Sequence, residues 1–364
     1  MSVHARLRTA PADHSRHPTA RLPLAWLRPY DGADPRGFEL SADWFAVLAA
    51  TALEPGDVPV MENLPGLGAP AGMAMCYRVR RAGPFRLRTL GSLTGCYTTR
   101  FAPLGLEPAP EMSARVAAWA EGVRRGPGAV DRLLFEAMDQ GGSGYEILVE
   151  GLRRAGWLVE PFPHFGNWYL KAEGLDFESY WSSRDGKLRS TVERKTKALE
   201  REAGLEIRIF RHADEVELAV ALYETVYARS WKRNEPFPYF NHGLINALLM
   251  VGAGEVAVLL ADGKPIAAQI WVFGGRRATI FKLAHDENWA RHSPGSILTR
   301  DRIRAALDDG NLDEIDFGRG DDSYKRLWLP ERRERWGLAA YNPTRPAGLM
   351  TAARNLGPKL LRNR

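Results

Sequence analysis

Apolar and polar residues follow two periods along this chain, and each change of period marks an element. Strand-like patterning covers 58–64 (VPVMENL) and 71–81 (AGMAMCYRVRR) and continues, with turns, through 87–105. Helical periodicity over 111–126 is followed by a strand at 130–139 and a helix at 144–156 that Gly156 closes. The aromatic stretch 157–172 (WLVEPFPHFGNWYLKA) predicts a pair of strands. Residues 176–204 predict one long basic helix. From Arg184 to Arg201 it has seven Lys/Arg against three Asp/Glu, and Leu188, Val192 and Leu199 share one face.

The second half opens with a strand at 205–210 and a helix at 213–233. On that helix Val216, Ala219, Val220, Tyr223, Val226, Tyr227 and Trp231 form one stripe at 3- and 4-residue spacing. After a Pro/aromatic loop comes a helix at 241–254. Three strands follow at 255–263, 264–275 and 276–286, joined by the turn signals Asp262-Gly263 and Gly274-Gly275. A Ser-Pro-Gly turn then opens a helix that Gly310 stops. A strand at 312–320, a short helix at 321–329 and a last strand at 334–343 complete the order. The first half repeats this order in weaker form, without repeating the sequence. The expected organisation is a disordered tail (1–20), an N-terminal domain (21–174), a linking basic helix (175–204), a C-terminal domain (205–343) and a basic, disordered tail (344–364). In the last of these, Gly357-Pro358 is expected to break any helix.

The chain has 364 residues, 45% hydrophobic and 26% charged, which suits two globular domains. No apolar run is long enough to span a bilayer, and the N-terminus has no apolar signal-peptide core. The two cysteines, Cys76 and Cys96, make no disulfide framework and no zinc pair, so free thiols in the cytoplasm and no metal are expected. A net charge of +6 favours anionic partners without selecting one. The basic helix could contact RNA, an anionic polysaccharide or lipid, or be a solvated bridge between domains.

The Ser-Pro-Gly turn holds the first candidate chemistry. A helix start leaves backbone N–H groups unpaired and carries partial positive charge. Pro294 stiffens the turn, Gly295 admits a close ligand, Ser296 could cap the helix, and Arg291 lies just upstream. Together they could cradle a pyrophosphate, or be an ordinary helix entry. Asp286 ends the preceding strand as a candidate base or a turn cap. Asp316 lies in the strand LDEIDFG, where a charge in a core-like position needs a partner or a job. Tyr324, by itself, reads as a packed helix tyrosine with its hydroxyl at the surface. Lys325 could pair with Asp316, bind a phosphate or form a surface salt bridge. Gln269 could bond a ligand's amides, or satisfy a neighbour within its apolar strand. His285 is a weaker candidate base.

The strand meander, the anion-binding turn and the stretch DFGRGDDSYKRLW resemble the GNAT superfamily of acyl-CoA N-acyltransferases. Four stretches carry the likeness: KPIAAQIWVFGG, AHDENWARHSPGSILT, IDFGRGDDSYKRLW and KLRSTVERKTKALER. They are most similar to a bacterial branch linked to cellulose and exopolysaccharide biosynthesis, whose layout is similar to that of the two-domain Fem peptidyltransferases. The Ser-Pro-Gly turn departs from the family's usual Gly-rich loop. The resemblance implies an α/β (α+β) fold of tandem GNAT-like domains. In it a mixed, mostly antiparallel sheet would be flanked by helices, the domains being joined by the basic helix. It implies acetyl-CoA or another acyl-CoA as co-substrate, its pyrophosphate on the amides of Ser293, Gly295, Ser296 and Ile297. It also implies an amine acceptor, a small molecule or a polysaccharide or envelope precursor, which attacks the thioester directly. Asp316, Tyr324, Asp286 and Lys325 are then the expected catalytic residues, and Arg291, Ser293, Pro294, Gly295, Ser296, Ile297 and Gln269 the expected co-substrate residues. A Fem-like transferase using aminoacyl-tRNA and a non-catalytic partner protein of the same fold are the competing expectations.

Overall fold

A computed structural model describes residues 30–31, 36–66, 71–104, 109 and 111–362. The expected N-terminal tail, 1–20, lies outside the described residues. In chain order the elements are α1 (Ala42–Thr51), β1 (Val58–Asn63), β2 (Gly72–Ala82), β3 (Phe85–Ser92), α2 (Met112–Arg125), β4 (Arg132–Met138), α3 (Ser143–Arg154), β5 (Leu158–Lys171), α4 (Phe177–Ser182) and α5 (Gly186–Glu202). The second half continues with β6 (Leu205–Phe210), α6 (Val216–Ala228), α7 (Phe240–Val251), β7 (Gly254–Ala261), β8 (Lys264–Gly274), β9 (Arg277–His285), α8 (Pro294–Asp308), β10 (Glu314–Asp316), α9 (Lys325–Trp328), β11 (Glu331–Tyr341) and α10 (Pro346–Arg362).

The eleven strands form one sheet in the order β1-β2-β3-β4-β11-β5-β10-β9-β8-β7-β6. All neighbours are antiparallel except β3 with β4 and β9 with β10, each parallel over only three residue pairs. The halves therefore share one plan: a meander, a short parallel fork bridged by a helix, and a long closing strand. The closing strands are exchanged. β5 pairs with β11 along both their lengths, then reaches β10, while β11 pairs with β4. The sheet does not break where the chain passes from one half to the other.

Period-2 alternation along β11 puts Leu338 and Ala340 into the main core and Ala339 and Tyr341 onto the opposite face, under α10. The main core packs α1, α2, α3, α6 and α7 on the sheet. A second cluster joins α4, α5, α8 and α9 to the other face through Trp181, Val192, Ile303 and Trp328.

Three sequence expectations change here. Residues 157–172 form a single strand. Pro161 and Pro163 interrupt the pattern, but they lie where only β11 pairs with β5, so their missing N–H groups break no second ladder. The basic helix is two helices, because Asp185 accepts from the amides of Lys187 and Leu188 and starts α5 afresh. Leu188, Val192 and Leu199 do face the core. The C-terminal tail is helical through Gly357-Pro358. Buried Ala347 and Ala352 hold α10 to the sheet, and Asn355 Nδ2 donates to the Tyr341 hydroxyl at 2.7 Å. Among the described residues no helix is long and apolar enough to cross a membrane.

Candidate active site

The parallel pairing of β9 and β10 ends at Asp316↔Thr279. β9 runs on to His285, while the chain after Asp316 turns away through Gly318, whose φ of 61° suits glycine. The two strands thus open as a fork. In the β8–β9 ladder the register skips Phe281, a bulge that lies beyond the root of the fork.

Asp316 fixes that root. Its Oδ1 accepts from Asn167 Nδ2 at 2.7 Å and from the Gly318 amide, and its Oδ2 takes Arg333 at 2.6 Å. Burial pushes its carboxyl above the usual range, and Arg333 pulls it back. A carboxylate this enclosed holds β5, β10 and β11 together and offers no face to a substrate. Lys325 does not bond Asp316; its ion pair is with the exposed Asp322, and its own side chain is enclosed. It is buried, and its Nζ donates to the carbonyls of Phe317, Arg319 and Gly320 at 3.1, 2.8 and 3.3 Å, with Asp322 at 3.5 Å. It staples the loop that forms one prong of the fork. Tyr324 stands beside it, 40% exposed and edge-on to Phe317, and burial of its surroundings raises its phenol well above the usual value. Among the described residues its hydroxyl has no hydrogen-bond partner.

The turn before α8 is more closed than the sequence suggests. Ser293 is left-handed, with φ 53°, so its carbonyl turns back to accept from the amides of Ser296 at 3.0 Å and Ile297 at 3.2 Å. Its own N–H goes to the Ala290 carbonyl at 3.0 Å. Pro294 has no N–H. Of the expected four-amide cradle, the Gly295 amide alone has no partner among the described residues, at the positive end of a 15-residue helix. Arg291 is exposed and pairs with Glu202 of α5. Gln269 serves the packing instead of a ligand. Fully buried, it donates to Thr299 Oγ1 at 2.7 Å and accepts from Trp271 Nε1 at 2.8 Å. Asp286 caps the short 3-10 turn 287–292 by accepting from the Asn288 amide at 2.9 Å, with Arg229 at 3.7 Å. His285 lies against Trp231, with ring centroids 4.4 Å apart.

The mouth of the fork holds a polar cluster the sequence reading missed. Lys282 follows the bulge on β9, pairs with Glu235, and lies 4.6 Å from the centroid of the Tyr97 ring. Tyr97 donates to Glu235 at 2.5 Å, which brings the first half of the chain into the site. Burial alone would raise Glu235, but the bonds from Lys282 and Tyr97 hold its carboxyl below the usual range. Lys232, from the α6–α7 loop, feels both Lys282 on one prong and Lys325 on the other. It is half-buried among aromatic rings, about 6 Å from those of Trp231 and Tyr227, with no ion pair among the described residues. Burial, with the Lys282 charge, pushes its ammonium down to about 8. Arg319 spans to the first half, donating to the Gly95 carbonyl at 3.3 Å. One signal was legible: Lys282 is a charge in the apolar run TIFKLA, as Asp316 is in its strand. Lys232 was expected at the end of the helix 213–233, but α6 stops at Ala228, Trp231 is exposed, and both Lys232 and Glu235 lie in the irregular loop beyond it.

Residues 186–326 match the family model described as an acetyltransferase (GNAT) domain. The chain carries a GNAT domain. The matched stretch runs from α5 into α9 and so contains the fork, the turn and α8. Solved structures share the wider fold. FemX aligns with TM-score 0.55 at 10% identity, over 82% of this chain and 96% of its own. A conserved protein of unknown function from Bacteroides thetaiotaomicron aligns with TM-score 0.51 at 10% identity, over 89% and 99%. The C-terminal domain of a candidate lysylphosphatidylglycerol synthetase from Agrobacterium fabrum aligns with TM-score 0.50 at 16% identity, over 78% and 85%. At these identities the likeness is one of fold. No curated protein sequence matches the chain.

Proposed function

We propose that the GNAT domain transfers an acyl group, acetyl in the simplest case, from acyl-CoA to an amine. The amine belongs to a small molecule or an envelope or polysaccharide precursor. The observation that supports this best is the fork itself. One open gap between β9 and β10 meets a helix N-terminus with a free Gly295 amide on one side and an unpaired Lys232 on the other. The co-substrate's pyrophosphate lies at the α8 N-terminus and its thioester in the gap. The acceptor enters between the halves, past Tyr97 and Arg319.

Asp316 and Lys325 shape the gap, and Asp286 supports its far end. The proton-handling roles fall to Lys232 and Tyr324. Neutral Lys232 takes a proton from the attacking amine, since a base titrating near the working pH combines availability with driving force. Tyr324, kept protonated, gives its proton to the departing CoA thiolate. The C–N bond forms as the C–S bond breaks, and the products are an amide and CoA.

The test is CoA release from acetyl-CoA across a panel of amines, followed as free thiol from pH 6 to 10. The rate should climb through pH about 8, and a Lys232→Gln variant should lose that rise along with roughly a hundredfold of rate. A pH profile left intact in Lys232→Gln would remove Lys232 from the reaction. Thiol release in the absence of any amine would contradict amine transfer.

A further inference from the structure

We propose that the face built from α10 and the β2–β3 hairpin docks this protein on an anionic lipid bilayer. The two segments come from opposite ends of the chain and pack together, α10 lying against β11 and β3. Both are free of acids: no Asp or Glu occurs over 71–104 or over 335–364. The hairpin exposes Arg81, Arg86 and Arg88, and α10 exposes Arg354. None of these four forms an ion pair among the described residues. The two segments are tied at one point: Asp131, itself buried, accepts from Arg345 Nε just before α10 at 2.5 Å and from the Arg88 amide of β3 at 2.8 Å.

The apolar part decides the partner. α10 turns Ala347, Gly348 and Ala352 inward, which leaves Leu349 at 50% and Met350 at 49% exposure, beside exposed Ala353. Two exposed apolar side chains one helical turn from unpaired Arg354, on a helix packed against the strand that carries Arg86 and Arg88, fit an interface with a charged layer above an apolar one. A nucleic-acid backbone offers the charge without the apolar phase. The helix is fixed to the sheet and too short and polar to cross a membrane, so the contact is peripheral and electrostatically driven. This inference stands apart from the acyl-transfer reading.

Sedimentation with sucrose-loaded vesicles tests it, using the full chain and no activity readout. Vesicles of phosphatidylcholine mixed with phosphatidylglycerol are compared with phosphatidylcholine alone. The variants are Leu349→Glu/Met350→Glu and Arg81→Gln/Arg86→Gln/Arg88→Gln, all at exposed positions, with circular dichroism to confirm folding. The wild type should prefer the anionic vesicles by roughly tenfold or more, and added salt should weaken binding. Each variant should lose roughly tenfold or more. Equal partition to both vesicles, or none to either, overturns the proposal. So does anionic binding that the Leu349/Met350 variant keeps and a short RNA duplex displaces, which marks a nucleic-acid surface. Concentration-dependent dimers that the same variant dissolves, without vesicle binding, assign the patch to a second copy.

Discussion

Asp316 and Lys232 are both charged groups in apolar surroundings, and their partners separate their roles. Asp316 has its bonds filled by Asn167, Gly318 and Arg333. Removing its charge leaves Arg333 and Asn167 reaching for a lost partner. Asp316→Asn should therefore cost about 3 kcal/mol in urea denaturation, while the rate limb near pH 8 stays in place. A variant of wild-type stability that has lost activity would return Asp316 to the role of base. Lys232 has no such partner, and its charge is a cost of folding. Below pH about 8 it is protonated in folded and unfolded chains alike, and the folded chain bears the full cost. Between about 8 and the unfolded value, ~10.4, the folded chain binds fewer protons, so wild-type stability rises with pH across that window. Lys232→Met should accordingly raise the melting temperature at pH 7, by a stability gain of roughly 2 kcal/mol, and the gain should shrink by pH 10. Destabilisation at pH 7 would show that the charge has a partner in the fold. Neither outcome can be read from the sequence, which shows Asp316 as a charge in an apolar strand and Lys232 within a polar stretch, but not what faces either.

At the scale of elements, most of the second half was legible because its periods are clean. The strands at 254–261, 264–274 and 277–285, and the helix at 294–308, fall within a few residues of where alternation and the Ser-Pro-Gly turn place them. The failures occur where tertiary contacts outweigh local signals. Residues 157–172 read as two strands, yet β5 is continuous because only one neighbour pairs at Pro161 and Pro163. Gly357-Pro358 read as a terminator, yet α10 is held by packing upstream of it. The turn was found from sequence, but its hydrogen bonds were not. Nothing in SPG reveals that Ser293 is left-handed and that its carbonyl occupies two of the four amides expected to bind phosphate. α10 also provides an element-scale test. At Gly348 a side chain would run into the Asn342 carbonyl and come within 2.7 Å of the Asp131 carbonyl, both backbone atoms. Gly348→Ala should destabilise the protein by about 1–3 kcal/mol in urea denaturation. A neutral substitution would mean α10 does not dock as described.

For the whole molecule, the exchange of β5 and β11 matters most. A domain boundary drawn after residue 174 follows the chain, but each half's sheet is completed by the other half's last strand. The site is likewise shared, with Tyr97 and the Gly95 carbonyl on one side and Lys282, Glu235 and Arg319 on the other. Such a molecule should unfold in one transition in urea, by fluorescence and circular dichroism together. Ending the chain after Pro330, which removes β11 and α10, should leave neither half folded. Two separate transitions, or a stable first half in that truncation, would show that the halves are independent.

If acyl-CoA occupies the fork with its pyrophosphate at Gly295, calorimetric titration should register it there. Acetyl-CoA and free CoA are titrated into the wild type and into Gly295→Glu. The nearest atom to an added Cβ at that position is His285 Nδ1, at an ordinary 3.5 Å, so the variant should fold. Both ligands should bind the wild type, and affinity should fall at least about tenfold when a negative charge meets the free amide. A wild type that binds neither ligand, or a variant that binds them equally well, would contradict that placement.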